Sequence, residues 1–444
     1  MTGAARRNAE ASLLVLSVLI AIGGYWLAAL ARGPGVPSRI LQYGLLFAGV
    51  YAAAHVAGRL LAPEGDPLFL PVAAMLNALG FVLISRLDAP ATQMALAGAQ
   101  ARWLVVAILA FVATLSLVPD VRILARYRYT AALVGVVLLL LPVLPVIGRE
   151  INGARLWIRL GPLNFQPAEL GKIALVLFFA GYLSERRELL AVATRRIGPV
   201  GVPPVRHFGP VVAAWGISLI VMIQEKDLGS SLLFFAIFVV MLWVATARPV
   251  YLLAGTGLFA LGAWGATLLF SHVRERIFVW QNPFASIQGS GHQVVQSLFA
   301  LATGGAWGTG LGLGRPDKIP NVQTDFIFSA VGEELGLVGT VAVLTAYGLF
   351  CARGFGLALR CRDDFSKLLV AGLSTVFALQ TALIIGGVTN LIPLTGVTLP
   401  FMSYGGSSLL SNFILVALLV RASQEVAGRG PEEPTDLGPA GGGR

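Results

Sequence analysis

The chain has 444 residues, of which 56% are hydrophobic and only 12% are charged. A soluble protein carries about 25% charged residues, so this composition excludes an ordinary soluble enzyme and a disordered protein. The two cysteines are too few for a secreted domain built on disulfides. The formal net charge is +10, but the basic residues are scattered between long apolar runs, as in a membrane protein. We therefore expect membrane lipids as partners and no nucleic acid.

The apolar runs predict an all-α polytopic membrane protein. A membrane-spanning helix needs about 20 predominantly apolar residues, and about twelve segments of the chain meet this description. In chain order they are 11–30, 40–58, 67–86, 103–119, 130–148, 167–184, 209–224, 229–247, 250–270, 325–350, 368–389 and 406–420. The polar residues 224–227 interrupt the apolar stretch 209–247 and divide it into two predicted helices, which are the least clearly defined of the twelve.

The positions of Lys and Arg predict the orientation in the membrane. When the helices alternate from a cytoplasmic N-terminus, the cytoplasmic segments carry more Lys and Arg than the outer ones, which places both termini inside. Cys351 and Cys361 then lie on the cytoplasmic side as reduced thiols. We divide the chain into an N-terminal extension with two helices at 1–62, a membrane core at 63–422, and a disordered, Gly- and Pro-rich cytoplasmic tail at 423–444.

Charged residues lie beside two of the predicted helices on the outer side. The segment 149–166 contains Arg155, and Glu169 and Lys172 follow it, three residues apart on one helical face where they can pair. Intramembrane charge is costly, so the pair is a candidate substrate site, although an interfacial loop with a self-neutralising ion pair explains it equally well. Asp227 lies in the polar break, where it either caps the following helix or contacts substrate.

A large outer loop is predicted at about 271–324, and it is the segment richest in polar residues. Its run Gly304–Gly310 resembles a phosphate-binding loop but lacks the strand–helix context, so a tight turn is the simpler interpretation. Asp325 either caps the next helix or acts as a general base. Glu333 is predicted about 12 Å deeper, at 1.5 Å per residue, facing a polar cavity. The other candidate substrate-binding residues here are Arg274, Arg276, Gln296, Asp317 and Lys318.

A third outer segment, at about 390–405, is rich in Pro, Gly and Ser. Its prolines exclude a regular helix, and non-helical backbone at membrane depth occurs only where it is buried in protein or lines a cavity. We therefore predict a substrate-facing role for Ser403, Ser407 and Ser408, with a re-entrant turn that binds nothing as the alternative. The basic outer face favours an anionic ligand, such as phosphate or pyrophosphate on a lipid carrier.

A set of motifs in a fixed order makes the chain similar to a known family. The motifs are Asn152-Gly153-Ala154 with Phe165-Gln166-Pro167-x-Glu169-x-x-Lys172; Asp227-Leu228-Gly229; Gly304-Gly305-x-x-Gly308-x-Gly310; Ile319-Pro320, Thr324-Asp325-Phe326-Ile327-Phe328 and Glu333-Glu334-x-Gly336; and Pro393-x-Thr395-Gly396, Leu399-Pro400 and Ser403-Tyr404-Gly405-Gly406-Ser407-Ser408. Over about residues 66–422 the chain resembles the SEDS family (shape, elongation, division and sporulation), the group of RodA, FtsW and SpoVE. The whole pattern is most like the RodA branch of high-GC Gram-positive bacteria.

The resemblance implies an enzyme. Family members are peptidoglycan glycosyltransferases that polymerise lipid II, the undecaprenyl-pyrophosphate-linked precursor, on the outer face of the bacterial cytoplasmic membrane. They work in cell elongation or division with a class B penicillin-binding protein. The family's essential aspartate matches Asp325, which the resemblance makes the base for the acceptor sugar hydroxyl. The resemblance fixes no cofactor and leaves open a divalent cation, Mg or Mn, at the pyrophosphate. A ten-helix family core plus the two N-terminal helices accounts for the twelve segments.

The chain departs from the family pattern next to this aspartate. The family commonly has Ser, Glu and His where Ala168, Asn321 and Gln323 stand, which leaves fewer titratable groups beside Asp325, with Asp317 the nearest acid in the loop. Two other functions stay open: a flippase or transporter for lipid-linked precursors, and a noncatalytic scaffold that recruits the penicillin-binding protein. A flippase needs polar access from both faces, whereas the motifs gather on the outer side.

Overall fold

The structure is a computed structural model. It describes residues 3–31, 39–88, 96–144, 147–151, 154–160, 163–191, 195–197, 200–202, 216 and 228–428. The helices of the first half are α1 (Gly3–Leu30), α2 (Ile40–Leu61), α3 (Phe69–Leu87), α4 (Leu96–Leu117), α5 (Arg128–Leu140) and α6 (Ala168–Ala191). Those of the second half are α7 (Leu228–Thr246), α8 (Pro249–Leu269), α9 (Ser271–Gln281), α10 (His292–Gly304), α11 (Ile327–Arg360), α12 (Asp364–Val388) and α13 (Gly406–Gly428).

The predicted polytopic membrane architecture is confirmed. Within the described ranges, ten helical segments are long and apolar enough to cross a membrane: α1 to α4, α5 with its flanking 3-10 turns (Val121–Val143), α7, α8 and α11 to α13. Helix α6 fills the predicted span at 167–184 but carries charged residues at both ends. The predicted span at 209–224 lies outside the described residues.

Two small antiparallel sheets are the exceptions to the all-α prediction. Strands β1 (Gly148–Ile151), β2 (Ala154–Leu160) and β3 (Leu163–Phe165) form a meander in which Arg149 pairs with Trp157. Strands β4 (Arg195–Ile197) and β5 (Val200–Val202) form a hairpin. The predicted outer segment at 149–166 is therefore largely β-structure, which its alternation of apolar and basic residues along β2 favours.

The buried centre of the bundle consists of α3, α12 and α13, whose residues are mostly inaccessible. Helices α1, α5 and α8 instead expose apolar side chains, for example Leu19, Leu133 and Leu253. An apolar side chain on the outside of a membrane bundle contacts lipid rather than water, so these faces are compatible with a bilayer.

The described ends of α1 and α13 lie at the same end of the bundle. Arg6 Nη1 donates to the carbonyl of Glu64 at 2.8 Å, and the Glu64 amide donates to Gln424 Oε1 at 2.6 Å. These contacts keep residues 423–428 helical, so the predicted start of the disordered tail at 423 is wrong. Residues 429–444 lie outside the described part of the chain. The assignment of this end to the cytoplasm stays a prediction from the Lys and Arg distribution.

The prediction of one long outer loop at 271–324 is also wrong. Helices α9 and α10 and two 3-10 turns, Pro283–Ser286 and Pro316–Lys318, occupy much of it. Both helices are too short to span a bilayer, since 20 residues are needed for about 30 Å. Apolar-run counting therefore missed them.

Helix α11 is broken at Gly336, whose φ of 66° and ψ of −164° are not helical. The residues before the break are buried, whereas Leu337 and Val338 after it are more than half exposed. The segment 337–360 alone is about 36 Å long at 1.5 Å per residue, which suffices to span the membrane. The stretch from Ile327 to Glu334 is therefore a separate buried helix rather than the outer end of the span.

Candidate active site

A polar cavity of about 490 Å³ lies where α9, the start of α10, the turn before α11 and the segment after α12 meet. Its volume is in the range of small-molecule binding sites. The cavity is lined by His272, Glu275, Arg276, Val279, Trp280, Ser290, Gln293, Val294, Asn321, Asp325, Asn390, Leu394 and Gly396. The site thus brings together Asp325 and Arg276, two residues singled out from the sequence.

Helix α9 forms one wall because of the spacing of its side chains. His272, Glu275, Arg276, Val279 and Trp280 follow one another at alternating intervals of three residues and one residue, which places them on one helical face. Of these five residues, only Arg276 was a candidate site residue from the sequence. This spacing within the stretch 271–281 is the signal that predicts a polar helical face.

Arg274 lies on a different face of α9 from these residues. Its guanidinium donates to the carbonyls of Thr267 at 3.2 Å and Leu268 at 3.1 Å, which are the last carbonyls of α8. Helix C-terminal carbonyls lack intrahelical donors, so Arg274 satisfies them. The structure therefore separates the predicted pair: Arg276 lines the cavity, and Arg274 caps α8.

The wall formed by α9 is fixed to the segment after α12. The Arg276 guanidinium donates to the carbonyls of Leu394 at 3.3 Å and Thr395 at 3.4 Å. Trp280 Nε1 donates to the carbonyl of Asn390 at 3.2 Å, and Asn390 Nδ2 donates back to the carbonyl of Trp280. The two elements that carry cavity residues are therefore joined at the middle and at the C-terminal end of the α9 face.

Asp325 ends a tight turn that begins at Asn321. Asn321 has a φ of 55°, a left-handed conformation that Asn adopts more readily than most residues. Its carbonyl accepts hydrogen bonds from the amides of Thr324 at 3.1 Å and Asp325 at 3.3 Å. The N-cap of α11 is Phe326, which makes no side-chain cap. Asp325 thus lies one residue before the N-cap position.

Ser403 and Tyr404 hold the turn from the other side. Ser403 Oγ donates to the carbonyl of Thr324 at 2.5 Å, and the Tyr404 amide donates to the carbonyl of Gln323 at 2.7 Å. The same serine oxygen accepts from the Leu399 amide at 2.9 Å. The Ser403 hydroxyl is thus engaged within the protein, where it positions the backbone directly before Asp325.

The predicted ion pair at the start of α6 is confirmed. Lys172 Nζ lies 2.6 Å from Glu169 Oε2 and donates to Gln380 Oε1 at 2.7 Å. Ser411 Oγ also donates to Glu169 Oε2. Gln380 Nε2 in turn donates to the carbonyl of Thr398, in the segment that also carries cavity residues. The pair is buried and adjoins the cavity wall but is not part of its lining, and its substrate role stays a prediction.

Ser407 and Ser408 begin α13 and are both buried. Ser407 Oγ accepts from the Gln166 amide at 2.8 Å, and Ser408 Oγ accepts from Thr398 Oγ1 at 2.8 Å and from Asn412 Nδ2 at 3.2 Å. These hydroxyls link α13 to the chain before α6 and to the segment after α12. The structure gives them protein partners outside the cavity.

The glycine run surrounds the break in α11. The amides of Thr309 and Gly310 donate to the carbonyls of Glu333 and Glu334, and the Gly312 amide donates to Glu334 Oε2 at 3.0 Å. A Cβ on Gly308 would lie 2.3 Å from the Glu334 carbonyl oxygen. The tight-turn interpretation is therefore confirmed, because these amides bind the protein's own oxygens.

Glu333 lies in the short buried helix before the break in α11 and outside the cavity lining, and its predicted depth stays a prediction. Glu333 Oε1 accepts from the Arg315 amide at 2.7 Å. Glu334 Oε1, next to it, accepts from Arg86 Nε at 2.7 Å, in the last turn of α3 at the same end of the bundle as the cavity. Both carboxylates therefore bind groups of the protein itself outside the cavity lining.

The other candidate residues lie elsewhere on the surface. Arg155 is exposed and pairs with Glu150 at 3.5 Å. Asp317 and Lys318 are exposed, and Asp317 lies 3.9 Å from Arg86. Gln296 is partly buried on α10 outside the cavity lining, which instead includes Gln293. Asp227, Asn152 and Gly153 lie outside the described residues.

No group of three or more His, Cys, Asp or Glu side chains among the described residues is arranged to hold a metal ion. The acidic residues that line the cavity are Glu275 and Asp325. Magnesium is commonly bound through one or two carboxylates together with substrate phosphates. The donor set therefore fits a cation that arrives with a pyrophosphate substrate, and this cation stays a proposal.

The family of cell cycle proteins that comprises FtsW, RodA and SpoVE matches residues 67–428. The chain belongs to this family. The peptidoglycan glycosyltransferase RodA of Mycobacterium tuberculosis is 46% identical over 424 residues, which cover 94% of this chain and 90% of the relative. The stage V sporulation protein E of Bacillus subtilis is 37% identical over 290 residues, 65% of this chain and 76% of the relative. The predicted resemblance to the RodA branch is confirmed.

Solved structures of this family support the fold. A chain from a peptidoglycan synthase complex, described as coordinating polymerization and crosslinking, superposes with a TM-score of 0.66 at 31% identity and covers 82% of this chain and 98% of that one. The rod shape determining protein RodA of Thermus thermophilus gives a TM-score of 0.57 at 28% identity, over 81% and 97% of the two chains. The chain is a multi-pass protein of the cytoplasmic membrane, like the rest of the family.

Proposed function

We propose that this chain, a peptidoglycan glycosyltransferase of the FtsW, RodA and SpoVE family, polymerises lipid II on the outer face of the cytoplasmic membrane. The observation that carries the proposal is the polar cavity that combines a carboxylate, Asp325, with a guanidinium, Arg276. The turn before Asp325 contacts Tyr404, just before α13 begins, whereas Gln424 lies near the end of α13, so the cavity is at the opposite end of the bundle from the contacts between Arg6, Glu64 and Gln424. Lipid II offers a sugar hydroxyl to the carboxylate and a pyrophosphate to the guanidinium.

In this proposal Asp325 is the general base. Its carboxylate accepts the proton of the acceptor sugar hydroxyl as that oxygen attacks the anomeric carbon of the donor sugar. The bond from this carbon to the pyrophosphate oxygen breaks, and undecaprenyl pyrophosphate leaves with the electron pair. The turn between Asn321 and Thr324 and the Ser403 hydroxyl hold the carboxylate in place, which reduces the loss of freedom needed to reach a reactive geometry.

Arg276 binds the pyrophosphate in this scheme. A guanidinium offers several N–H donors in a fixed plane and binds phosphate oxygens in pairs. A divalent cation, Mg or Mn, would be held by Glu275 together with the pyrophosphate, where it would neutralise the charge of the leaving group.

The partner in this proposal is a class B penicillin-binding protein, which would crosslink the strands that this chain polymerises. The support is the structural match to a chain of a synthase complex in which polymerization and crosslinking are coordinated. The chain would therefore work in cell elongation, or in division, beside a transpeptidase.

The test is polymerisation of lipid II by the purified full chain in detergent or liposomes. Wild type, Asp325→Asn and Asp317→Asn are each assayed with and without a class B penicillin-binding protein, and glycan length is measured on a gel. We expect polymer from wild type and from Asp317→Asn, whose carboxylate is more than half exposed outside the cavity, and none from Asp325→Asn. Polymer formation by Asp325→Asn would show that Asp325 is not the general base.

The same experiment addresses the alternative functions. A flippase would transport labelled lipid II across the liposome membrane without forming polymer. A scaffold would bind the penicillin-binding protein and leave lipid II unchanged, with wild type and Asp325→Asn alike. Either result would contradict the glycosyltransferase proposal.

A further inference from the structure

The two N-terminal helices precede residues 67–428, the part of the chain that the family match covers. Helix α2 nevertheless turns a regular face into the bundle, where Tyr43, Phe47, Tyr51 and Gly58 are buried. The Phe47 ring lies 4.9 Å from the ring of Phe81 on α3. The extension is therefore packed against the family core.

One polar group on this face reaches into the core. The Tyr51 side chain is 1% exposed, and its hydroxyl donates to Asn77 Oδ1 on α3 at 3.1 Å. The other end of the Asn77 amide, Nδ2, donates to the carbonyl of Phe401 at 3.2 Å. A carbonyl oxygen only accepts, so Nδ2 must face Phe401 and Oδ1 must face Tyr51. The Phe401 carbonyl thus fixes which way the Asn77 amide points, and the Tyr51 hydroxyl holds the amide in that position from the other end by donating to Oδ1.

The carbonyl that Asn77 binds belongs to a constrained turn. Phe401 has a φ of 65°, an unfavourable conformation for a bulky residue that surrounding contacts must maintain. Helix α3 lies directly against this turn, because a Cβ on Gly80 would be 2.5 Å from the Cα of Met402. The hydrogen bond from Asn77 is one of the contacts that hold the turn.

The next two residues of this turn hold the segment before the proposed base. Ser403 Oγ donates to the carbonyl of Thr324, and the Tyr404 amide donates to the carbonyl of Gln323. Asp325 follows directly. A continuous path of buried hydrogen bonds and short backbone links therefore leads from the N-terminal extension to the catalytic turn.

We propose that Tyr51 is a positioning residue for glycosyl transfer, which acts through Asn77 and Phe401 to hold the turn that carries Asp325. This proposal rests on the proposed function of Asp325. It gives the N-terminal extension a role in the reaction: the extension supplies the hydroxyl that holds a core amide in place. A group that acts in this way changes the rate of the bound complex more than it changes substrate binding.

The test compares Tyr51→Phe with Tyr43→Phe in the full chain, with lipid II polymerisation measured over a range of lipid II concentrations. Tyr43 lies on the same buried face and contacts Tyr25 and Phe81 through its ring, which the substitution keeps. We expect Tyr51→Phe to lower kcat about three- to tenfold, as for the loss of one buried hydrogen bond, with KM unchanged. Tyr43→Phe should keep the wild-type kcat.

A double-mutant cycle checks the route through Asn77. Asn77→Leu removes both the acceptor for Tyr51 and the donor to Phe401 without adding a charge, so we expect it to lower kcat at least as much as Tyr51→Phe does. Adding Tyr51→Phe to Asn77→Leu should then cause no further loss, because residues that act through one contact are not additive.

The possible results distinguish a failure of the positioning role of Tyr51 from a failure of the proposed glycosyltransferase function. An inactive wild type contradicts the glycosyltransferase itself, and with it the positioning role. An active wild type with an unchanged kcat in Tyr51→Phe, or with equal losses in Tyr51→Phe and Tyr43→Phe, overturns the positioning role alone. A loss of kcat that is matched by the fraction of unfolded protein in a thermal melt also overturns it.

Discussion

Trp280 and Asn390 form two reciprocal hydrogen bonds, from the indole N–H to the Asn390 carbonyl and from the Asn390 side-chain amide to the Trp280 carbonyl, both at 3.2 Å. Asn390 has a φ of 59°, so its backbone is turned into a conformation that few residues adopt. The two residues are far apart in the sequence, and their contact joins α9 to the segment after α12. This junction creates the cavity wall on which Arg276 lies.

Arg276 and Arg274 should differ in their effect on substrate binding. We expect Arg276→Ala to raise the Kd for lipid II at least tenfold, since a hydrogen bond to a charged group contributes about 1.5–3 kcal/mol. Arg274→Ala is the matched control, because its side chain caps α8 outside the cavity. Binding is measured with labelled lipid II in detergent. Equal Kd values for the two variants would show that Arg276 does not bind lipid II.

The buried pair of Glu169 and Lys172 should be important for stability. Glu169→Gln leaves the ammonium of Lys172, which is 3% exposed, without its counter-charge, and breaking such a pair costs about 3–5 kcal/mol. Glu169→Gln combined with Lys172→Met should recover much of the loss, because no buried charge remains. Stability is read from thermal unfolding in detergent.

The exposed pair of Glu150 and Arg155 is the control for this experiment. Its atoms are 3.5 Å apart, and both side chains are about half exposed, so Glu150→Gln should change stability by at most about 1 kcal/mol. A double variant of the buried pair that is no more stable than Glu169→Gln would show that lost hydrogen bonds, rather than the unpaired charge, dominate.

Gly336 should tolerate no side chain. Its φ of 66° and ψ of −164° are essentially restricted to glycine, and a Cβ would lie 2.2 Å from the Gly308 amide nitrogen. We expect Gly336→Ala to reduce folded protein in the membrane and to lower the unfolding temperature. Gly348→Ala is the control in the same helix, because a Cβ there meets nothing within 4 Å. Equal amounts of folded protein and equal unfolding temperatures for the two variants would show that position 336 does not require glycine.

Cys361 should react slowly with thiol reagents. Burial, with smaller contributions from Asp363 and Glu425, raises the pKa of this thiol to about 12. The reactive thiolate is therefore scarce from pH 7 to 9. In a Cys351→Ala background, alkylation by iodoacetamide should be much slower in folded protein than in denatured protein. Equal rates in the two states would show that Cys361 is accessible and unperturbed.

The sequence alone determined those features that depend on local composition and spacing. Long apolar runs predicted the membrane spans, because a bilayer requires about 20 apolar residues per helix. The interval of three residues between Glu169 and Lys172 predicted their contact, because helical geometry fixes neighbours within one turn. The motif around Asp325 indicated the family and the proposed base.

Only the tertiary structure decided which of the candidate residues meet. Two arginines on α9, separated by one residue, look alike in the sequence, but packing against residues 390–396 directs Arg276 into the cavity, while Arg274 caps α8. The sequence predicted one span at 325–350, but the break at Gly336 makes its first turns a separate buried helix, because the φ and ψ of Gly336 are not helical. The links from Ser403 to Thr324 and from Tyr51 through Asn77 to Phe401 join distant parts of the chain. Local spacing carries no information about such contacts, since they depend on how whole helices pack.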